Sequence, residues 1–122
     1  MLVTRRRPRT ARIGVLGVGH HTYWGQFPGL REELLGYLAE FEAQVRAHQA
    51  EVQSFGLVDD ARAAYAALRR MRVADLDLVF CDMLTYATSS TWGILVRELD
   101  VPIVLVALQP LRALDYPRAT TH

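Results

Sequence analysis

The chain of 122 residues has one cysteine, no lysine and no long hydrophobic run. A single cysteine, Cys81, excludes an internal disulfide framework and any zinc site built from cysteines. No apolar run approaches the ~18 residues of a transmembrane helix, so the sequence predicts no membrane span. Hydrophobic residues make up 51% of the chain and charged residues 22%, which excludes a protein that is disordered throughout. Because the lone cysteine suits a reducing compartment, we expect a cytoplasmic protein.

Positive charge is concentrated at the start of the chain. Five of the 14 arginines lie in the first 12 positions, and without them nine arginines face 13 acidic residues. We interpret residues 1–11 as a flexible basic tail and residues 12–122 as one domain. A basic tail is able to contact nucleic acid or an anionic surface, but most such tails are solvated extensions. We therefore predict no nucleic-acid partner and no membrane partner.

Short apolar runs alternate with helical periodicity from residue 12 onward. The runs predict strands at 12–17, 51–58, 76–81 and 102–106. The first predicted helix has Pro28 in its first turn, the second is capped by Asp59 or Asp60, and the third covers residues 92–99. The alternating order predicts a Rossmann-like (flavodoxin-like) α/β fold, with about four parallel strands and helices on both faces.

Three details of this pattern are more specific. Residues 18–29 hold four glycines or prolines and are predicted to form a loop. The second helix is expected to bury Ala64, Tyr65, Leu68 and Met71. Residues 107–122 show no helical pattern, so the returning helix and fifth strand of a flavodoxin-like domain are missing. We expect an apparently truncated fold whose last strand is covered by further protein.

Most polar and aromatic side chains of the domain fall in the loops that follow strands 1, 3 and 4. Parallel α/β sheets bind ligands beyond the carboxyl ends of their strands. These loops carry His20, His21, Tyr23, Trp24, Gln26, Asp82, Thr85, Tyr86, Ser89, Ser90 and Gln109. Aromatic faces with neutral hydrogen-bonding groups and few cations favour a polyhydroxylated neutral ligand over a phosphate. The alternative is that the aromatic side chains only close the edge of the core.

Two motifs in the first loop suggest a dinucleotide site and a metal site, but their residues support neither. Residues 17–22 (GVGHHT) keep two glycines of a dinucleotide fingerprint but have threonine at the third position, which argues against a nicotinamide cofactor. Adjacent histidines seldom face one metal ion. We therefore interpret His20 and His21 as loop histidines whose hydrogen bonds are satisfied.

The sequence also gives little support for a catalytic nucleophile or acid at or after the third strand. Cys81 has no assigned base and is interpreted as a small buried hydrophobe. The residue types leave Asp82 open between a catalytic acid, a helix cap and a surface residue. Ser89 and Ser90 are interpreted as helix caps, because no base is placed to activate them.

Three blocks of the sequence resemble the L-arabinose isomerase and L-fucose isomerase superfamily. The first is residues 14–17 (GVLG) leading into 22–30 (TYWGQFPGL). The second is residues 78–81 (LVFC) through 86–90 (YATSS), and the third is 101–104 (VPIV) through 108–116 (LQPLRALDY). The blocks follow the order of the family and cover most of the chain after the tail.

This resemblance implies the N-terminal domain of an aldose–ketose isomerase. Family members are longer, and their later domains hold a Mn²⁺-type ion and the glutamates that move the proton. The resemblance therefore assigns no catalytic residue, no metal ligand and no bound cofactor to this chain, and implies that it is inactive alone. It implies a homo-oligomer in which this domain completes the sugar pocket of a neighbouring subunit. The substrate-binding positions that it implies are His21, Tyr23, Trp24 and Gln109.

The residues of the same loops are also consistent with a binding protein that has no enzymatic activity. In a stand-alone flavodoxin-like binding or interaction module, Ser89, Ser90 and the helix N-terminus would hold the phosphate of flavin mononucleotide. Binding of flavin by an intact monomer would favour this module over the isomerase domain.

Overall fold

The structure, a computed structural model, describes residues 10–109. Most of the predicted basic tail and residues 110–122 lie outside this range. Four strands and four helices follow one another along it, with two helices between the first two strands: β1 Arg12–Val18, α1 Thr22–Gln26, α2 Leu30–Arg46, β2 Glu51–Val58, α3 Ala61–Arg72, β3 Leu78–Met83, α4 Ser89–Glu98 and β4 Ile103–Val106. Among these helices, none is long and apolar enough to cross a membrane.

The four strands form one parallel sheet in the order β2-β1-β3-β4, which confirms the predicted Rossmann-like α/β fold. β1 pairs with β3 without interruption along its length. Against β2 the register shifts between Val15 and Gly17. Gly56 lies on β2 opposite this shift and has a φ of 72°, a left-handed conformation that glycine adopts without a steric penalty.

Helices cover both faces of the sheet. Successive strand side chains point to opposite faces, and Ile13 and Val15 are buried with Leu38 of α2 on one of them. Leu16 and Val18 are buried on the opposite face in a larger core with residues of α3 and α4. The site-bearing loops are therefore anchored by β1, a strand that is buried on both sides.

β4 is the least covered strand. Its four residues are all apolar, yet Val104 is 42% exposed and Leu105 50% exposed. Within residues 10–109 its extensive contacts are with β3 alone. Val104 and Leu105 point to opposite faces of the sheet, so β4 exposes apolar side chains on both faces, which suits contact with further protein.

The structure corrects the prediction for residues 18–29. Val18 still belongs to β1, and the five-residue helix α1 lies inside the predicted loop. Such a helix is too short for its periodicity to be visible in the sequence. Pro28 is not in the first turn of α2, because α2 begins at Leu30 and its N-cap Gly29 has a φ of 83°.

The expected buried face of α3 is confirmed except at one position. Ala64, Leu68 and Met71 are buried, whereas Tyr65 is 47% exposed. Tyr65 lies one residue after Ala64, which turns its side chain about 100° around the helix and away from the core. The predicted cap is confirmed, since the carboxylate of Asp60 accepts a hydrogen bond from the backbone N–H of Ala63 at 2.7 Å.

The predicted caps of α4 are wrong. Thr88 is the N-cap residue and makes no side-chain hydrogen bond to the helix backbone. Ser89 and Ser90 are the first two helical residues, and the hydroxyls of Ser90 and Thr88 bond to each other at 2.8 Å.

Candidate functional site

The loops after β1 and β3 meet at the carboxyl edge of the sheet. The chain passes from β1 outward to β2 and then returns to β3 on the other side of β1, so strand order reverses between β1 and β3. Parallel sheets bind ligands at such a point. The backbone N–H of Leu84 donates to the carbonyl of Val18 at 3.0 Å, and the N–H of His20 donates to the hydroxyl of Thr85 at 3.1 Å. These bonds hold the two loops together.

Two glycines permit the close approach of these loops. A Cβ atom on Gly17 would lie 2.5 Å from a methyl carbon of Leu84, and one on Gly19 would lie 3.0 Å from the ring of Trp24. Both positions therefore have no room for a side chain. The glycine spacing that looks like part of a dinucleotide fingerprint has a packing role at this edge.

Four rings gather at this edge, and we call them the first-loop cluster: His20, His21, Tyr23 and Tyr86. The ring centroid of His20 lies 5.1 Å from His21, 5.5 Å from Tyr23 and 6.2 Å from Tyr86, each in an edge-to-face arrangement. Tyr86 is 67% exposed, so the cluster opens to solvent on its side. The cluster offers aromatic faces, ring nitrogens and phenol groups to a ligand.

The two histidines of the cluster differ in their hydrogen bonds. Nδ1 of His21 lies 3.3 Å from the backbone carbonyl of Asp59. Nδ1 of His20 is buried and has no hydrogen-bond partner in the structure. The interpretation of both histidines as satisfied is therefore wrong for His20. A buried polar atom without a partner is costly, and a ligand that supplies the missing bond removes this cost.

Trp24 lies beside the cluster but has a structural partner. Its indole N–H donates to the carboxylate of Asp59 at 2.9 Å, which ties α1 to the residue that follows β2. The ring also lies against Gly19. Trp24 can therefore offer only its ring surface to a ligand, because its one donor is in use.

Gln109 is not brought to the other predicted substrate-binding residues. It is exposed and lines a separate groove beside α2, together with Asp82 and Leu108. No hydrogen bond or ring contact within residues 10–109 links Gln109 with His21 or Tyr23. The structure thus brings His21 and Tyr23 together around His20, and leaves Gln109 apart.

Cys81 and Asp82 are both buried on β3, but they face opposite sides of the sheet. Cys81 packs in the core below α3 and α4, which confirms its interpretation as a small hydrophobe. Burial, with a smaller contribution from the charge of Asp82, raises the pKa of its thiol to about 12. Few thiolates form at neutral pH under these conditions, so Cys81 is a poor nucleophile.

Asp82 is neither a surface residue nor a helix cap, which were two of the three possibilities left open. Its side chain is 2% exposed, and it lies within β3. Burial raises the pKa of its carboxyl group to about 6. The position on β3 places this group on the α2 face of the sheet, where it lines a groove with residues of α2.

The resemblance to sugar isomerases implies a manganese-type ion in the parent enzyme, and the described residues do not fit such an ion. Within residues 10–109, no group of three or more His, Cys, Asp or Glu side chains is placed to hold a metal.

No protein-family model, curated protein or solved structure matches this chain.

Sequence reasoning placed His20, Tyr86 and Asp82 in the loops but did not select them as site residues. For Asp82 the sequence contains a usable pattern. Leu78 and Phe80 of the same strand face α2, and the two-residue period of a strand places residue 82 on that same buried face. For His20 and Tyr86 there was none, since their meeting depends on how two separate loops fold together.

Proposed function

We propose that this chain is the N-terminal domain of an aldose–ketose isomerase of the L-arabinose and L-fucose isomerase kind. In this proposal the first-loop cluster forms one wall of a sugar pocket that a neighbouring subunit completes. The observation that carries the proposal is the arrangement of three rings around His20 at the edge where strand order reverses.

The chemistry of the cluster suits a neutral sugar. Aromatic rings offer apolar faces to the C–H groups of a sugar, while phenol and imidazole groups bond to its hydroxyls. The unpartnered Nδ1 of His20 is one such bonding position. No arginine makes a recorded contact with the cluster within the described residues, so an anionic ligand would lack a counter-charge here.

In this proposal the chain contributes binding and not proton transfer. Its thiol is held protonated in the core, and its buried carboxyl group at position 82 lies on another face of the sheet. We expect the proton-transferring glutamates and the Mn²⁺ ligands of the parent enzyme to lie outside these 122 residues. The chain by itself then catalyses no isomerisation.

The half-exposed apolar positions of β4 support the oligomer that this proposal requires. Val104, Leu105 and Leu108 present apolar side chains on neighbouring positions of one edge. Burial of this surface against a second subunit would remove it from water and stabilise the assembly. We place the parent enzyme in the cytoplasm, where a free buried cysteine stays reduced.

Intrinsic fluorescence tests the proposal, because the chain has two tryptophans and Trp24 adjoins the cluster. In a Trp92→Phe background, L-arabinose or L-fucose at millimolar concentration should change the emission of Trp24. The change should be lost in Tyr23→Ala, which removes one ring of the cluster.

Tyr65→Ala is the matched control, because Tyr65 is an exposed tyrosine on α3 that contacts no residue of the cluster through a recorded ring interaction. This variant should keep the response to sugar. A response that survives Tyr23→Ala, or the absence of any response in the Trp92→Phe protein, would contradict the proposed site.

The strand order supports one alternative function, a flavodoxin-like binding module. The order β2-β1-β3-β4 places the reversal point between β1 and β3, as in flavodoxin-like proteins that bind flavin mononucleotide there. Hydroxyl groups of Thr88, Ser89 and Ser90 stand at the N-terminus of α4. Quenching of flavin fluorescence by the monomeric chain would favour this alternative, and unquenched flavin would favour the isomerase domain.

A further inference from the structure

A second concave surface lies on the α2 side of the sheet, and none of its lining residues belongs to the first-loop cluster. It has a volume of about 410 Å³ and is formed by α2, the end of β3 and the residues after β4. We call it the α2 groove, and its principal lining residues are Leu34, Tyr37, Glu40, Phe41, Asp82 and Leu108. Its volume lies within the range of small-molecule sites in proteins, about 300–1,000 Å³.

Asp82 is the unusual residue of this groove. Leu78 and Phe80 of β3 pack toward α2, and the two-residue period of the strand directs Asp82 to the same side. Its side chain is 2% exposed and lines the groove. No hydrogen bond or ion pair to its carboxyl group occurs among the described residues.

A buried carboxyl group without a partner is energetically unfavourable. Water solvates the ionised form less well at this buried position, and this burial raises the pKa of Asp82 to about 6. At neutral pH the group is still mostly ionised, so a negative charge remains at the base of the groove without a counter-charge. A bound cation would supply both the missing charge and the missing hydrogen-bond donors.

The rest of the lining favours the same kind of ligand. Glu40 adds a second acidic side chain, and no arginine, lysine or histidine is among the described lining residues. The hydroxyl of Tyr37 donates to Glu33 at 2.8 Å, so toward the groove its oxygen acts as an acceptor. Phe41, in edge-to-face contact with Phe80, presents an aromatic wall. An aromatic ring attracts a cation over its face.

We propose that the α2 groove binds a small organic cation, whose primary amine or guanidinium group pairs with Asp82. An apolar body attached to the charged group packs against Leu34 and Phe41. This inference goes beyond the proposed sugar pocket and does not depend on it, because the groove and the first-loop cluster share no residue. Anions are excluded by the charge of the lining, and a neutral alcohol leaves the carboxylate without a counter-charge.

A matched pair of probes tests the proposal on the unmodified chain. 2-Phenylethylamine and 2-phenylethanol have the same aromatic body and differ in a charged amine against a neutral hydroxyl. We expect backbone amide NMR signals at the ends of α2 and β3 to shift with the amine, and the amine to bind at least about tenfold more tightly than the alcohol. Equal affinities, or no shift with either probe, would overturn the proposal.

Asp82→Asn then identifies the group that recognises the charge. The amide keeps the shape of the side chain and removes its charge, so the preference for the amine should disappear. Asp100→Asn is the control, because Asp100 is exposed and precedes β4 at the opposite end of the strand from the groove. The control should keep the preference. An amine preference that survives Asp82→Asn would show that another group holds the cation and would refute the assignment.

Discussion

At the residue scale, the informative side chains are the polar ones that the fold buries without a partner. Asp82 is one, because its carboxyl group is enclosed on the α2 face of the sheet with no recorded bond. Nδ1 of His20 is the other, at the centre of the first-loop cluster. Burial of such groups costs free energy that apolar residues would not cost. Each therefore leaves an unused polar group that a bound ligand could pair with.

The pKa of Asp82 leads to a prediction about stability. Its native value of about 6 lies above the ordinary value of 3.8, so the native state holds the proton that the unfolded chain has already lost. Stability therefore falls as pH rises from about 4 to about 6, and the loss is complete above the native pKa. A pKa shift of about two units corresponds to a change of at most ~3 kcal/mol in the free energy of unfolding.

Asp82→Asn removes this pH-dependent loss. We expect the variant to be about 1–3 kcal/mol more stable than the unmodified chain at pH ~8, with the advantage vanishing near pH ~4. Chemical denaturation at both pH values measures this difference, with the exposed Asp100→Asn as control. A variant that is less stable at the higher pH would mean that the ionised carboxylate has a favourable partner.

At the element scale, the sequence predicts the strands and helices well because their apolar patterns are long enough to read. β2 has the predicted bounds, β1 is one residue longer than predicted, and β3 begins and ends two residues later. α1 could not be predicted, since five residues make less than two helical turns. The contacts of α1 with Asp59 join segments 35 or more residues apart in the chain, which no local pattern encodes.

The candidate site was predictable only in part. The carboxyl edge followed from the parallel order of strands, and His21 and Tyr23 do lie there. The separation of Gln109 from them could not be foreseen, because it depends on which side of the sheet the chain takes after β4. The role of His20 as the centre of the cluster depends on the loop that brings Tyr86 to it.

Two glycine-to-alanine substitutions test how closely β1 packs against the loop after β3. Gly17→Ala places a Cβ atom 2.5 Å from a methyl carbon of Leu84 and 3.2 Å from one of Leu38, so both leucine side chains must shift in the core. We expect a loss of about 1–3 kcal/mol in stability, as for other overpacked core positions. Gly36→Ala lies inside α2 with open space around it and should instead stabilise the chain by about 0.5–1 kcal/mol.

Thermal unfolding of the two variants distinguishes crowding in the core at position 17 from the helix propensity of alanine at position 36. A midpoint that falls for Gly17→Ala and rises for Gly36→Ala agrees with the close approach of β1 and the loop after β3. Two variants with the same midpoint would contradict that approach.

At the scale of the whole molecule, the domain has two surfaces for which we propose two kinds of ligand. The first-loop cluster is aromatic and neutral, and lies where strand order reverses. The α2 groove is acidic and lies beside a helix on one face of the sheet. At one edge of the sheet, β4 exposes apolar side chains that suit contact with further protein. This division agrees with a domain that contributes surfaces to a larger enzyme.

The central claim is that a neutral sugar binds at the first-loop cluster, and an NMR titration with L-arabinose and L-fucose tests it most directly. Backbone amide signals locate a weak ligand on the chain even at millimolar affinity. The account predicts shifts confined to residues 19–24 and 84–87 and none at α2. Shifts confined to the α2 groove, or no shifts with either sugar, would contradict the claim.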